Sequence, residues 1–145
     1  MLYEQISVFV ENKKGKLAQI TKVLEESNIN LRALNIADTS DFGVLRIIVD
    51  DTYRALEVLS KAGFSVTVCE MLVAEIGDDP GGLHAVLESL DQMNVDVEYL
   101  YSFTYKYEYH VLMFVKVSDP ELVESGLIER GHSVLTDPVK YGLKG

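Results

Sequence analysis

Two short segments carry the residue types that could do chemistry. Residues 11–15 read ENKKG and residues 77–81 read GDDPG; each follows an apolar run and precedes apolar residues at helical spacing. A strand that enters a helix through glycine leaves the first helical N–H groups without intrahelical partners. Together with the helix dipole they favour a carboxylate, by about 0.3–1 kcal/mol at an exposed site. Gly15 lacks a Cβ, so a ligand can approach the backbone, and Asn12 offers both donor and acceptor. That set suits the carboxylate and ammonium of a free amino acid. Lys13, Lys14 and Lys16, just ahead of Leu17, can steer a carboxylate, or can be plain solvated charge. In the second segment Asp78 stands where Asn12 does. Acceptor-only carboxylates repel an anion and favour an ammonium group or a cation. Asp78 and Asp79 also suit capping of the helix that follows, which is favoured over a divalent ion because few further carboxylates lie at ligand spacing.

Other chemistry lacks a constellation. His84, His110 and His132 have no Cys, His or carboxylate neighbours at zinc spacing, so no metal site is expected. Cys69, the one cysteine, falls in an apolar strand and reads as a small buried hydrophobe. Neither a nucleophile–base pattern nor a phosphate loop is visible, so no enzyme activity and no cofactor are expected. The 145 residues have a net charge of −10, which disfavours nucleic acid and anionic membrane surfaces as partners. There is no long apolar run for a membrane span and no secretory signal pattern, and a cytoplasmic location is expected.

The elements that position the two segments come from a duplication. Gly15 and Gly81 lie 66 positions apart (81 − 15), and that offset also aligns Leu17 with Leu83, Leu24 with Leu90, Asn28 with Asn94, Leu34 with Leu100 and Val49 with Val115. In the first copy a strand over 2–10 puts Ile6, Val8 and Val10 on one face. A helix follows from Gly15 to about Ser27, with Asn28, like Asn94 in the second copy, placed where the helix should stop, then a strand over 29–38, a turn at TSDFG and a strand over 44–50. A second helix over 51–63 starts at Asp51 or Thr52 and stops at Gly63, and residues 64–70 close the copy as a fourth strand. The second copy repeats the order β-α-β-β-α-β, the split βαβ of ferredoxin-like folds. No Pro/Gly/Ser linker separates the copies, and VTVCEMLVAEIG reads as nearly continuous extended chain.

VENKKGKLAQITKVLEESNINLRAL and GDDPGGLHAVLESLDQMNVDV resemble the ACT domain, whose opening is a strand, Asn or Asp, a residue, Pro, Gly, a residue, Leu and a helix. The second copy keeps the proline as Pro80, and the first has Lys14 there. The resemblance implies an α+β protein of two tandem ferredoxin-like domains, 1–70 and 71–145, each an antiparallel sheet with helices on one face. It also implies a non-catalytic regulator binding a small amino acid at a domain interface. Carried over by position, the ligand contacts are Asn12 and, from a partner domain, Asn30; the second copy has Asp78, Gly81 and Asp96. On turn chemistry alone Asn12 and Asn30 read equally well as turn residues. Where the family pattern of the dehydrogenase type has a histidine, this chain has Val10. The resemblance further implies a homodimer formed through sheets or helices. Alternatively, the chain is a subunit that docks onto an amino-acid biosynthetic enzyme, as such modules do in acetolactate synthase.

One stretch stands apart. Tyr99, Tyr101, Phe103, Tyr105, Tyr107 and Tyr109 alternate, which lines one face of a strand pair with rings. Rings with polar tips suit a ligand wall or a subunit interface, and interface is the preferred reading. An RNA-recognition module shares the element order, but the acidic charge and lack of a basic-aromatic strand signature oppose it.

Overall fold

A computed structural model of the chain describes residues 1–11, 13–38, 41–103 and 107–144. Those residues form seven strands and four helices: β1 (Tyr3–Glu11), α1 (Lys16–Glu26), β2 (Leu31–Asp38), β3 (Phe42–Val49), α2 (Thr52–Lys61), β4 (Ser65–Gly77), α3 (Gly82–Gln92), β5 (Tyr99–Ser102), β6 (His110–Lys116), α4 (Pro120–Glu129) and β7 (Ser133–Val134). Two compact units share them. The N-terminal unit runs from Glu4 to Cys69 and includes the chain from Leu143 onward; the C-terminal unit holds Met1–Tyr3 and Glu70–Gly142. The extended stretch expected around Cys69 is one strand, β4.

In the N-terminal unit the strand order is β2-β3-β1-β4. β1 and β3 are antiparallel with Ile6 opposite Ile47, Val8 opposite Leu45 and Val10 opposite Gly43. β2 joins the other edge of β3, with Leu34 opposite Ile47 and Ile36 opposite Leu45. Alternate strand residues meet Ile20 and Leu24 of α1 and Ala55 and Leu59 of α2 in one buried cluster, so both helices lie on the same sheet face. Each fully buried aliphatic side chain there contributes about 1.5–3 kcal/mol relative to exposure.

The C-terminal unit repeats the plan with β5 beside β6, β6 beside β4, and β7 on β4's other edge. Leu72, Ala74, Ile76, Met113 and Val115 pack against Val86 and Leu90 of α3 and Val123 and Leu127 of α4. β7 is shorter than the strand expected over 132–137. Leu135 still donates to the Val73 carbonyl, but the Asp137 carboxylate then takes the Val139 and Lys140 N–H groups and turns the chain.

The 66-residue offset holds only to the middle of each copy. Leu34 and Leu100 occupy matching places, opposite Ile47 and Val115. From β3 onward the offset is 68: Val10 faces Gly43 whereas Ile76 faces Val111, and the caps Asp51 and Asp119 correspond. The counterpart of Val49 is therefore Val117, not Val115, and two extra residues lie between β5 and β6.

Helix ends follow the expected chemistry. Asn28 and Asn94 adopt positive φ of 55° and 57° after α1 and α3, the left-handed conformation asparagine tolerates. Asp51 and Asp119 cap α2 and α4 by accepting the Arg54 and Leu122 N–H groups.

Candidate functional site

The two glycine turns start α1 and α3 differently from the other helices. Gly15 and Gly81 are the residues before the first helical one, both left-handed, with φ 88° and 97°. Neither start has a side-chain cap, and neither first turn holds an acidic residue. With a left-handed glycine at the cap, the residue best placed to cap carries no side chain. Both helices open with N–H groups available to an anion.

What lies before the turns differs. In front of Gly15 a hollow of about 440 Å³ is lined by Lys13, Lys14, Lys16 and Leu17 on one side and by Val10, Ile36 and Gly43 on the sheet side. Its size is in the range of small-molecule sites. Gly43 makes part of this room. The sequence put it in a turn, but it is buried at the start of β3, between Val10 of β1 and Asp38 of β2. A glycine within a strand pattern is the signal for such close approach. Its counterpart in the other unit is Val111, which packs on that unit's core.

The second turn is wrapped tightly on itself. A Cβ at Gly82 would stand 2.4 Å from the Gly77 carbonyl oxygen, and one at Gly77 would stand 2.6 Å from Asp79 Oδ1. The matching places in the first turn carry the side chains of Glu11 and Lys16. Asp78 also donates its N–H to the Tyr109 carbonyl, at 2.7 Å.

The expected site residues distribute as follows. Asn12 lies outside the described residues. Lys13, Lys14, Gly15, Lys16 and Leu17 are together at the first hollow. Lys13 is engaged: its ammonium reaches Glu11 Oε2 at 2.8 Å, and this hydrogen bond and charge hold the Glu11 carboxyl below the usual range and the Lys13 amine above its own. Lys14 and Lys16 are the cations left for a ligand among those lining the hollow. Asn30 is elsewhere. Its N–H donates to Asp50 Oδ1 at 3.0 Å, and it lines a separate hollow with Asn28 and Glu25, past the far end of α1. Eleven residues of helix make that about 16 Å from the turn. Asp78, Gly81 and Asp96 are exposed in the C-terminal unit.

The tyrosine-rich stretch is used within its own unit. Tyr101 and Phe103 are buried against Phe114, with ring centroids 5.7 and 6.4 Å apart, and Tyr3 meets Phe114 edge-on. These rings cover the sheet face opposite the helices, which displaces the interface reading for them; among the described rings of the stretch Tyr109 is the widely exposed one, at 85%. Tyr105 lies outside the described residues. Tyr107 contacts buried Tyr141, and Lys140 Nζ stands over the Tyr107 ring. Burial, then the Glu75 carboxylate, raise the Tyr141 hydroxyl well above its usual pKa.

Cys69 is half-buried rather than enclosed, with its sulfur 3.5 Å from the amide of fully buried Gln5. The histidines are dispersed: His132 Nε2 meets Ser89 Oγ at 2.6 Å and His84 meets Glu88 at 3.3 Å. Among the described residues no group of three or more His, Cys, Asp or Glu is placed to hold a metal, and no helix is long and apolar enough to cross a membrane.

Comparison with known proteins agrees with this architecture. A crystal structure of protein BT0572 from Bacteroides thetaiotaomicron is 34% identical, with a TM-score of 0.89 over 98% of this chain and 97% of that one. The ligand-free regulatory subunit of aspartate kinase from Thermus thermophilus shares the fold at 14% identity, with a TM-score of 0.62 over 88% and 91% of the two chains. No curated protein matches the chain. The family model described as the ACT domain pair matches residues 1–143. The chain belongs to the ACT domain pair family.

Proposed function

We propose that this protein is a non-catalytic, cytoplasmic regulator that binds a small L-amino acid at the Gly15 turn. The observation that carries this reading is the α1 start: a left-handed glycine, no side-chain cap, and a basic hollow in front of it. α2 and α4, which have no such role, are capped by Asp51 and Asp119. The ligand carboxylate faces the α1 N–H groups with Lys14 and Lys16 beside it, and Asn12 takes the ammonium. Asn30 is too far away in its own unit, so the Asn30 contact comes from a second copy, and the working form is a homodimer. Binding shifts an assembly or conformational equilibrium to the extent that affinity differs between the two states.

A second reading, docking onto an amino-acid biosynthetic enzyme, is favoured by Leu34 and Ile36, which are half-exposed on edge strand β2. The two readings are compatible. Calorimetry against the common amino acids tests the first. Micromolar to millimolar affinity, about −8 to −4 kcal/mol, is expected for at least one. Lys14→Glu and Asn12→Ala should each weaken it tenfold or more, on the order of 1.4 kcal/mol. Silence across the panel, or binding untouched by both substitutions, sinks the assignment.

A further inference from the structure

We infer that the bound amino acid has an aliphatic side chain, because the hollow separates into a polar rim and an apolar floor. This rests on the reading that the Gly15 turn holds an amino acid. The rim is the turn itself, where the ligand's charged groups are met. Behind it the surfaces are Val10, Leu17, Ala18 and Ile36, with Gly43 supplying no side chain. Leu17 and Ile36 are exposed by 44% and 47%, an arrangement that leaves apolar area to be covered by a ligand.

No side chain on that floor can accept or donate a hydrogen bond. Among the described residues Glu11 is the one carboxylate lining the hollow, and it is already paired with Lys13 at 2.8 Å, so a cationic side chain finds no free countercharge among them. An anionic side chain would leave its water for Val10 and Ile36, and a hydroxyl or amide would lose its hydrogen bonds there. An aliphatic chain gains about fourfold in affinity for each methylene covered.

Gly43 sets how much chain fits. Its backbone is ordinary extended strand, and the nearest atoms to an added Cβ would be Ala37 O at 3.6 Å and Ile36 Cδ1 and Cγ1 at 3.7 and 3.8 Å, all normal contacts. A Cβ at 43 is therefore compatible with the fold, and a side chain extending from it would occupy the hollow. The C-terminal unit already has valine at this place, Val111. The absence of a side chain at 43 thus distinguishes the open turn from its duplicate.

The test is calorimetry with alanine, valine, leucine, isoleucine, threonine, serine, lysine and aspartate on the intact chain and on Gly43→Val, Ile36→Thr and Lys14→Glu. Valine and threonine are nearly the same shape, so valine binding on the order of tenfold or more tighter is the signature of an apolar pocket. Gly43→Val should cost leucine on the order of tenfold while leaving alanine nearly unchanged, and Ile36→Thr should weaken leucine and valine in the same sense. Because Ile36 is half-exposed, the second variant reports on the pocket even if the first perturbs the strand. Threonine, serine or lysine binding as tightly as valine overturns the inference. So does leucine affinity indifferent to both pocket variants. If Lys14→Glu still abolishes that binding, the turn reading stands without it. No binding by any of the eight overturns the inference, and silence from the remaining common amino acids as well overturns the turn reading with it.

Discussion

The Glu11–Leu17 and Gly77–Leu83 turns share a backbone and differ in what the backbone leaves open. Both end in a left-handed glycine and both start an uncapped helix. In the first, side chains are accommodated at Glu11 and Lys16, and the neighbouring strand has a glycine at 43. In the second, glycines at 77 and 82 let the chain fold down on itself, and Val111 fills the adjacent strand position. The duplicated helix start is common to both turns, and the differences lie at three flanking places, 11 and 77, 16 and 82, and 43 and 111. The charge contrast between ENKKG and GDDPG points the same way.

The comparison can be tested first where the units should agree. Leu24 and Leu90 occupy the same place in the two cores and are equally buried. Leu24→Ala and Leu90→Ala should each destabilise their unit by about 2–5 kcal/mol in chemical denaturation. A large inequality would mean that the two cores are not equivalent supports. The turns should then part company. Gly82→Ala drives a Cβ onto the Gly77 carbonyl and should cost about 1–3 kcal/mol. Lys16→Ala, at the matching place, should change stability by less than about 0.5 kcal/mol. At the capped helices agreement returns: Asp51→Ala and Asp119→Ala should each cost about 1 kcal/mol.

A pH effect belongs to one unit. Burial holds the Tyr141 hydroxyl neutral, with the Glu75 carboxylate adding to the effect. Its folded pKa lies above the unfolded value of about 10, so the stabilisation is complete below pH 10 and is lost as pH rises beyond it. Alkaline unfolding of the C-terminal unit should start earlier than in Tyr141→Phe, followed by tyrosinate absorbance alongside circular dichroism. Identical alkaline profiles for the two proteins would remove Tyr141 from the account.

Much of the fold was legible because it rests on periodicity. Ile6, Val8 and Val10 alternate into the core, Leu24 and Leu90 recur at helical spacing, and Asn28 and Asn94 mark helix ends. The register change after β5 was not, since a fixed offset matched Val49 to Val115 by residue type, while the true partner, Val117, is also valine. The site was legible at its rim, where glycine and charge are conspicuous. Its floor was hidden: Gly43 sat in a turn-like string, and Ile36 looked like any strand residue. Only the pairing of Val10 with Gly43 brings them to the Gly15 turn. The pairing of Lys13 with Glu11 and the burial of Tyr101 and Phe103 likewise depend on neighbours that no local pattern specifies.

The central claim, that the first turn is the working one, is tested most directly by nuclear magnetic resonance of the ¹⁵N-labelled chain titrated with valine or leucine. The amides of Lys16, Leu17, Ala18, Ile36 and Gly43 should shift in a saturable way, while those of Gly82, Leu83 and His84 stay in place. Saturable shifts confined to 82–84, or none at either turn, would contradict the account.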